Sequence, residues 1–382
     1  MKKLSVVVAL ITLGVLFYLF SSQSENDVSQ GVIEIDNGAA INRDLEWVGK
    51  DVGQRNSDVP QSEMNTLKKD MVRENVLRDP LTIGLEETLE WLKELNKKKF
   101  GNLTLEDLKN IKELDLSRQN LSLKDMKRLS TLSSLTSLNL DSATIRNNSL
   151  KELSSLQSLT ELNLDRTKIT NAGLKELVPL KSLTSLSLYQ TDIDDQGLSE
   201  LAKISSLTDL DLSATKITDY GLRELSFLQS LTELNLAVTG ITDQGVSEVI
   251  TMFPDLKMMC LYGVSSVTDE GVQKISSLRS LTELYLGGTK VTDKGIKELS
   301  SLPDLTDLSL SGAKITDNVM RELSKLTSLT SLKLDRTKIR DDHLKALMSL
   351  TGLTSLELYG CKHVTAEGRQ ALKKALPNCD IK

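Results

Sequence analysis

The chain has 382 residues, a formal net charge of -6, 39% hydrophobic residues and 3% aromatic ones, which suits two or three ordinary domains or one elongated repeat array. A charged fraction of 26% beside that hydrophobic share excludes a wholly disordered chain and a polytopic membrane protein. Two histidines, His343 and His363, and three scattered cysteines, Cys260, Cys361 and Cys379, disfavour a zinc site, a Cys/His nucleophile pair and a disulfide framework, and the acidic balance disfavours a general nucleic-acid binder.

The N-terminus carries Met1-Lys2-Lys3 followed by an uncharged run from Leu4 to Phe20, the charged and apolar regions of a secretory signal. The run falls between a long signal core and a short membrane span. Residues 1–22 are therefore read as a signal peptide or a membrane anchor. The poor small-x-small site Ser22-Gln23-Ser24 and the absence of a following lipobox cysteine favour the uncleaved anchor. Lysines before the run, and Glu25 and Asp27 after it, place the N-terminus inside and the bulk of the chain outside. The expected location is the outer or periplasmic side of a membrane, or the medium if the signal is cleaved.

Residues 23–82 read as a polar linker with a weak helix through Met64, Leu67, Met71 and Leu77, ending before Asp79-Pro80. Leu85, Leu89, Leu92 and Leu95 recur at helical spacing with Trp91 beside them. This predicts an N-terminal helical cap over 83–110.

From Ile111 the chain repeats itself about every 24 residues, as in Leu159-Thr-Glu-Leu162-Asn-Leu164-Asp-Arg-Thr167-Lys-Ile169-Thr-Asn-Ala-Gly173-Leu174-Lys-Glu-Leu177-Val-Pro-Leu180. Eleven copies begin at Ile111, Leu135, Leu159, Leu183, Leu207, Leu231, Leu256, Leu281, Leu305, Leu329 and Leu353, and fill residues 111–378. Leu162-x-Leu164 alternates as a short strand does, whereas Leu174, Leu177 and Leu180 step by three, as in a helix or 3-10 turn. One unit cannot bury its leucines alone, so the units must stack, pairing their strands into a continuous parallel sheet. In Ile217-Thr218-Asp219-Tyr220-Gly221 the Thr suits a helix N-cap and the Asp a first helical turn. Glycines 173, 197, 221, 245, 271, 295 and 368 mark a corner that needs positive φ or a close backbone approach. His343 occupies that corner in its own repeat and is read as structural.

The pattern L-x-x-L-x-L-x-x-T-x-I-T-D-x-G-L resembles the leucine-rich repeat family, in its cysteine-containing, ribonuclease-inhibitor-like subtype. The resemblance implies an α/β solenoid, a curved horseshoe with a parallel sheet on the concave face and helices or 3-10 turns on the convex one. The subtype's loop cysteine matches Cys361, with Thr167, Thr191, Thr215, Thr239, Thr289 and Thr337 in that place elsewhere. Ala375 to Ile381 is similar to the closing cap of such arrays, 379–382 forming its end, and Arg369 replaces the expected Leu where no neighbour follows. No F-box-like segment precedes the array, so the ubiquitin-ligase role of some relatives is not carried over.

In such a solenoid the three outward positions around each strand line the concave face. They hold twelve acids: Glu113, Asp115, Asp141, Glu161, Asp165, Asp209, Asp211, Glu233, Glu283, Asp307, Asp335 and Glu357. Lys333 is the single base, which makes the strip about -11. Tyr189, Tyr262, Tyr285 and Tyr359, four of the six tyrosines, fall on the same strip, and aromatic anchors on a rigid surface carry much interface energy. Beyond the strands Lys168, Lys216, Lys290, Lys314, Lys338 and Lys362, with Arg118, Arg166 and Arg336 nearby, form a basic rim. No G-x-S-x-G, H-E-x-x-H, P-loop, CxxC or EF-hand pattern occurs. The expectation is a non-enzymatic scaffold without cofactor or metal, binding a protein or peptide with a basic patch on these acids and tyrosines, with no nucleic-acid partner and a membrane link through the N-terminus alone. The alternatives are an envelope-organising protein that uses its edges or convex face, and a carboxylate-dependent hydrolase.

Overall fold

In a computed structural model of the chain, the structure describes residues 80–382 apart from 315. The apolar run over 1–22 and the weak helix before Asp79-Pro80 lie outside the described residues, as does the linker up to 79. Among the described residues no helix is long and apolar enough to cross a membrane.

The first described element is a cap. Pro80 opens helix α1 (Pro80–Leu95), where its fixed φ suits the first turn and its missing N–H leaves no bond unmade. Leu85, Leu89, Trp91 and Leu92 are buried along it. Two short helices follow, α2 (Lys97–Phe100) and α3 (Leu105–Lys109), which bury Phe100 and Leu108. A capping box between Thr104 and Asp107 starts α3. The cap thus begins three residues before the boundary expected at 83.

The array then supplies one short strand per repeat: β1 (Glu113–Asp115), β2 (Ser137–Asn139), β3 (Glu161–Asn163), β4 (Ser185–Ser187), β5 (Asp209–Asp211), β6 (Glu233–Asn235), β7 (Met258–Cys260), β8 (Glu283–Tyr285), β9 (Asp307–Ser309), β10 (Ser331–Lys333) and β11 (Ser355–Glu357). A twelfth, β12 (Asp380–Ile381), closes the series, and all lie in chain order in one open parallel sheet. The register is one repeat long: Leu114 pairs with Leu138, and Leu332 with Leu356. Two repeats with one extra residue keep the leucine column intact, pairing Leu234 with Met259 and Met259 with Leu284.

The return path from strand to strand is a 3-10 turn in some repeats, such as Asn147–Ser155, and an α-helix in others, such as Asp243–Met252. All seven apolar positions of the repeat quoted above, from Leu159 to Leu180, are at most 2% exposed. An aliphatic core of this kind explains the low aromatic content: identical leucines stack on their counterparts one repeat away, and large rings would break the spacing.

Two devices join the strands to the helical side. The residue two places after the second strand leucine has positive φ in every repeat, from Arg118 (62°) through Val238 (55°) to Gly360 (72°), and its N–H typically donates to the next repeat, as Arg166 does to the Tyr189 carbonyl at 2.7 Å. The loop threonines then turn inward. Thr167, Thr215 and Thr337 are buried and each hydroxyl donates to the strand leucine carbonyl three residues back, at 2.5 to 2.6 Å. Cys361 fills the same slot, its thiol donating to the Leu334 carbonyl at 3.1 Å. A small buried donor is what this loop requires, and Thr and Cys both provide one.

The corner glycines serve close approach, not positive φ. A Cβ at Gly245 would lie 2.1 Å from Asp219 Oδ1, and one at Gly271 2.5 Å from Asp243 Oδ1. His343 stands in this corner without a glycine's room. It is 5% exposed, and its Nε2 lies 2.6 Å from Asp317 Oδ1.

Candidate functional site

The pleat sends the strand leucines inward and the flanking residues outward, so the structure brings the predicted acids and tyrosines onto one face of the sheet. In-register pairing aligns the outward residues into columns. One column runs Asp209, Glu233, Met258, Glu283 and Asp307 across β5 to β9, and the next runs Asp211, Asn235, Cys260, Tyr285 and Ser309.

The face is not uniformly acidic, because its carboxylates have different partners. Toward the N-terminal end, Asp115 pairs with Lys99 of α2 at 2.6 Å, and Asp141 with Arg166. The Lys99 hydrogen bond, with the Ser117 N–H behind it, pulls the Asp115 carboxyl down to about 2. Toward the other end Lys333 approaches Glu357 at 3.3 Å. Several acids brace the backbone: Asp165 accepts from the Tyr189 N–H at 3.0 Å and the Ser187 hydroxyl at 2.5 Å, and Asp335 from the Tyr359 N–H at 2.7 Å. Burial outweighs those bonds at Asp165 and raises its carboxyl, helped by Asp211 and Asp141.

The middle acids also have hydrogen-bond donors: the Ser185 hydroxyl donates to Asp209, and the Ser213 N–H and the Asn235 amide donate to Asp211, each at 2.7 Å. Among the described residues no basic side chain forms an ion pair with Asp209, Asp211, Glu233, Glu283 or Asp307. Glu233 is pushed up by burial first, then by the charges of Asp209 and Glu283, against the opposing charge of Lys257. Beside them the Tyr285 hydroxyl donates to Glu283 at 2.8 Å and is itself raised, chiefly by burial. Burial likewise raises the Cys260 thiol to about 11, which keeps it protonated and unreactive.

The four tyrosines have separate settings. Tyr262 and Tyr359 are exposed at 45% and 72%. Tyr285 is half-buried, and so is Tyr189, which lies under the Arg166 guanidinium at 5.7 Å. Sequence reasoning placed Arg166 at the basic rim without its pairing to Asp141, and missed Lys99 as a partner of the face, Met258 on it, and Val238 at its rim, 55% exposed. It also missed Tyr220 and Phe227, exposed at 78% and 69% on the helical side. Phe227 stands immediately before the repeat leucine, where Ser155 and Ser301 stand in other units, and that mismatch was the available signal. Cys260, Cys361 and Cys379 are free thiols. Among the described residues no three His, Cys, Asp or Glu side chains converge as metal ligands.

A family model described as Leucine Rich repeat matches residues 155–178, 180–202, 203–226, 227–249 and 277–300. Among solved structures, the yeast Rad7 and Elc1 complex aligns at TM-score 0.58 and 18% identity, over 85% of this chain and 93% of that one. An internalin (inlF) from Listeria monocytogenes aligns at TM-score 0.49 and 22% identity, over 79% and 93%. No curated protein matches. With eleven units in register, one parallel ladder and the family model falling on five separate units, the chain is a leucine-rich repeat protein.

Proposed function

We propose that the chain is an exported, membrane-tethered interaction scaffold that binds a protein or peptide with a basic patch on the strand face, through its carboxylates and tyrosines. The observation that carries this reading is the strand face itself, where, among the described residues, only Asp115, Asp141 and Glu357 of the twelve acids form an ion pair and the exposed Tyr262 and Tyr359 stand beside the others. Unneutralised charge beside an aromatic on a rigid sheet suits a cationic, partly apolar partner. The reading is non-enzymatic: the acids recur strand after strand as a surface, with no isolated pair held at a tuned separation. Export and tethering rest on the Lys2-Lys3 and Leu4–Phe20 pattern, and protease accessibility of the array in intact cells tests them.

The face is tested by Tyr262→Ala/Tyr285→Ala, read as photo-cross-linking of the full chain to envelope proteins together with the unfolding midpoint. The expected result is loss of the cross-linked species with the fold retained, and unchanged cross-linking overturns the assignment. A second reading, an envelope-organising role for the helical side, is favoured by Tyr220 and Phe227. Loss of the species in Tyr220→Ser/Phe227→Ser and not in the first variant would select it.

A further inference from the structure

The basic rim differs between the two halves of the array. In the first half its lysines are interrupted by Thr144, Asp192 and Gly240, and Lys216 is tied to Asp192 at 2.8 Å. In the last four repeats the position is lysine every time. Lys290, Lys314, Lys338 and Lys362 each stand seven residues beyond the in-register first residues of β8, β9, β10 and β11. All four are exposed, as is Arg336 beside them, and among the described residues none of the five forms an ion pair. With strands ~4.8 Å apart the row spans about 14 Å. The acids that follow in sequence are engaged at the corners: Asp293 accepts from the Thr316 hydroxyl, Asp317 bonds to Arg340 and His343, and Asp341 accepts from the Thr365 N–H and hydroxyl.

The ground between strands and lysines differs as well. At the turn with positive φ the first half carries side chains such as Arg166, Gln190 and Val238, whereas Gly288, Gly312 and Gly360 occupy it beside the lysine row, with Arg336 the exception. These three glycines are exposed, and a Cβ at Gly312 would meet nothing within 4 Å. The Arg336 side chain runs against Gly360. The lysines of the last four repeats thus stand behind a ledge of bare backbone, open to a chain laid along it.

We propose that this edge is a second docking surface, which takes a helical segment of a protein partner carrying one carboxylate per turn. It lies beyond the strand face and does not depend on the reading given to that face. Charge sets the sign of the partner, since five cations without an ion pair of their own stand along one line. Residue type agrees: lysines are point charges on flexible stems that follow an anion's position, where a planar bidentate contact would call for arginine. Spacing sets the form. Carboxylates on four successive helical turns span ~16 Å, and lysine stems absorb the difference of about 2 Å from the row. Four same-face residues of an extended segment span about 20 Å, which overruns it. Duplex nucleic acid, with about one charge per 1.7 Å of its axis, calls for a broad basic surface and not a single row.

The test uses the full chain at low salt and two synthetic peptides of about 15 residues, labelled for fluorescence anisotropy. One carries glutamates at i, i+4, i+7 and i+11, and the other has the same composition with its glutamates spread around the helix. The first should bind about fivefold more tightly than the second, and Lys314→Gln/Lys338→Gln should weaken it by about fivefold with the urea midpoint unchanged. Lys168→Gln/Lys216→Gln makes the same change in net charge on the first half of the rim and should weaken it less than twofold. Tyr262→Ala/Tyr285→Ala should leave it unchanged, which separates this edge from the strand face. Equal binding of the two peptides, absence of binding by both, or an equal loss in the Lys168 and Lys216 variant overturns the proposal. So does a loss in the tyrosine variant, or duplex DNA that displaces the labelled peptide better than its unlabelled form does.

Discussion

Glu233 lies opposite Asp209 in the paired strands β5 and β6, and its carboxyl is raised by burial and by the charges of Asp209 and Glu283. A raised carboxyl is one whose ionised form the fold disfavours, so ionisation costs stability at every pH above its folded value and nothing below its unfolded one. Like charges directly across a strand pair are destabilising, and here the opposing charge of Lys257 does not outweigh them and burial together. Glu233→Gln should therefore raise stability at neutral pH by about 0.5 kcal/mol, the scale of an exposed charge contact. The gain should fade as pH drops through the raised carboxyl range and vanish below the ordinary glutamate value. Urea titrations of both proteins from pH 4 to 7 measure it, and a loss of stability at pH 7 would show that Glu233 has a structural partner. A residue that weakens its own fold fits a surface kept ready for a cation from elsewhere. Val238 supplies a parallel at the rim: a β-branched side chain held at φ 55°, exposed where its counterparts include glycines, is in a conformation that costs of order 1–3 kcal/mol.

At the scale of elements, the corners show how one repeat orders the next. The recurring Thr-Asp pair reads in the sequence as a cap and a dipole partner for one helix. The threonine part holds, since the Thr218, Thr242, Thr268 and Thr292 side chains accept from an N–H two residues on. The aspartate does more: it reaches forward into the following repeat. Asp243 accepts from the Thr268 N–H at 2.8 Å, the Thr268 hydroxyl at 2.7 Å and the Gly271 N–H at 3.0 Å. The glycine's missing side chain is what lets the carboxylate in. In the repeat that has Val319 in this place, where no glycine makes room, Asp293 accepts from the Thr316 hydroxyl, at 2.8 Å from each oxygen. Removing the carboxylate in Asp243→Ala should cost about 2 kcal/mol, as expected for bonds to a charged acceptor whose donors are left half-buried. Equilibrium urea unfolding gives the figure, and a cost under about 0.5 kcal/mol would mean that water replaces the ladder without loss.

For the whole molecule, what the sequence disclosed was whatever recurs. The strand column, the inward leucines, the capping threonines and the buried Thr or Cys donor are periodic, so each is argued once and inherited eleven times. What it concealed were pairings across the period. Lys99 reaches Asp115 from a helix outside the array, and Arg166 reaches back 25 residues to Asp141. A strip of about -11 therefore becomes a face in which Asp115, Asp141 and Glu357 carry their own cations and the other acids form no ion pair among the described residues. Positive φ was equally hidden, since Arg, Ser, Gln, Ala and Val share the position with Gly, the inter-repeat hydrogen bond holding the turn whatever the side chain. The last strand is a further case, because the leucine pattern ends before it. In β12, Asp380 donates its N–H to the Thr354 carbonyl and Lys382 to Leu356, while Leu358 donates to the Lys382 carbonyl. Cys379, fully buried, fills the end of the core. Deleting residues 377–382 would bare the β11 edge and the core beneath Leu376, and an unpaired edge beside apolar surface is a template for a second chain. The truncated chain should therefore unfold at lower urea and self-associate at micromolar concentration where the intact chain does not. Light scattering coupled to size exclusion measures this, and a truncated chain that keeps the intact chain's oligomeric state would show that β11 is closed without β12.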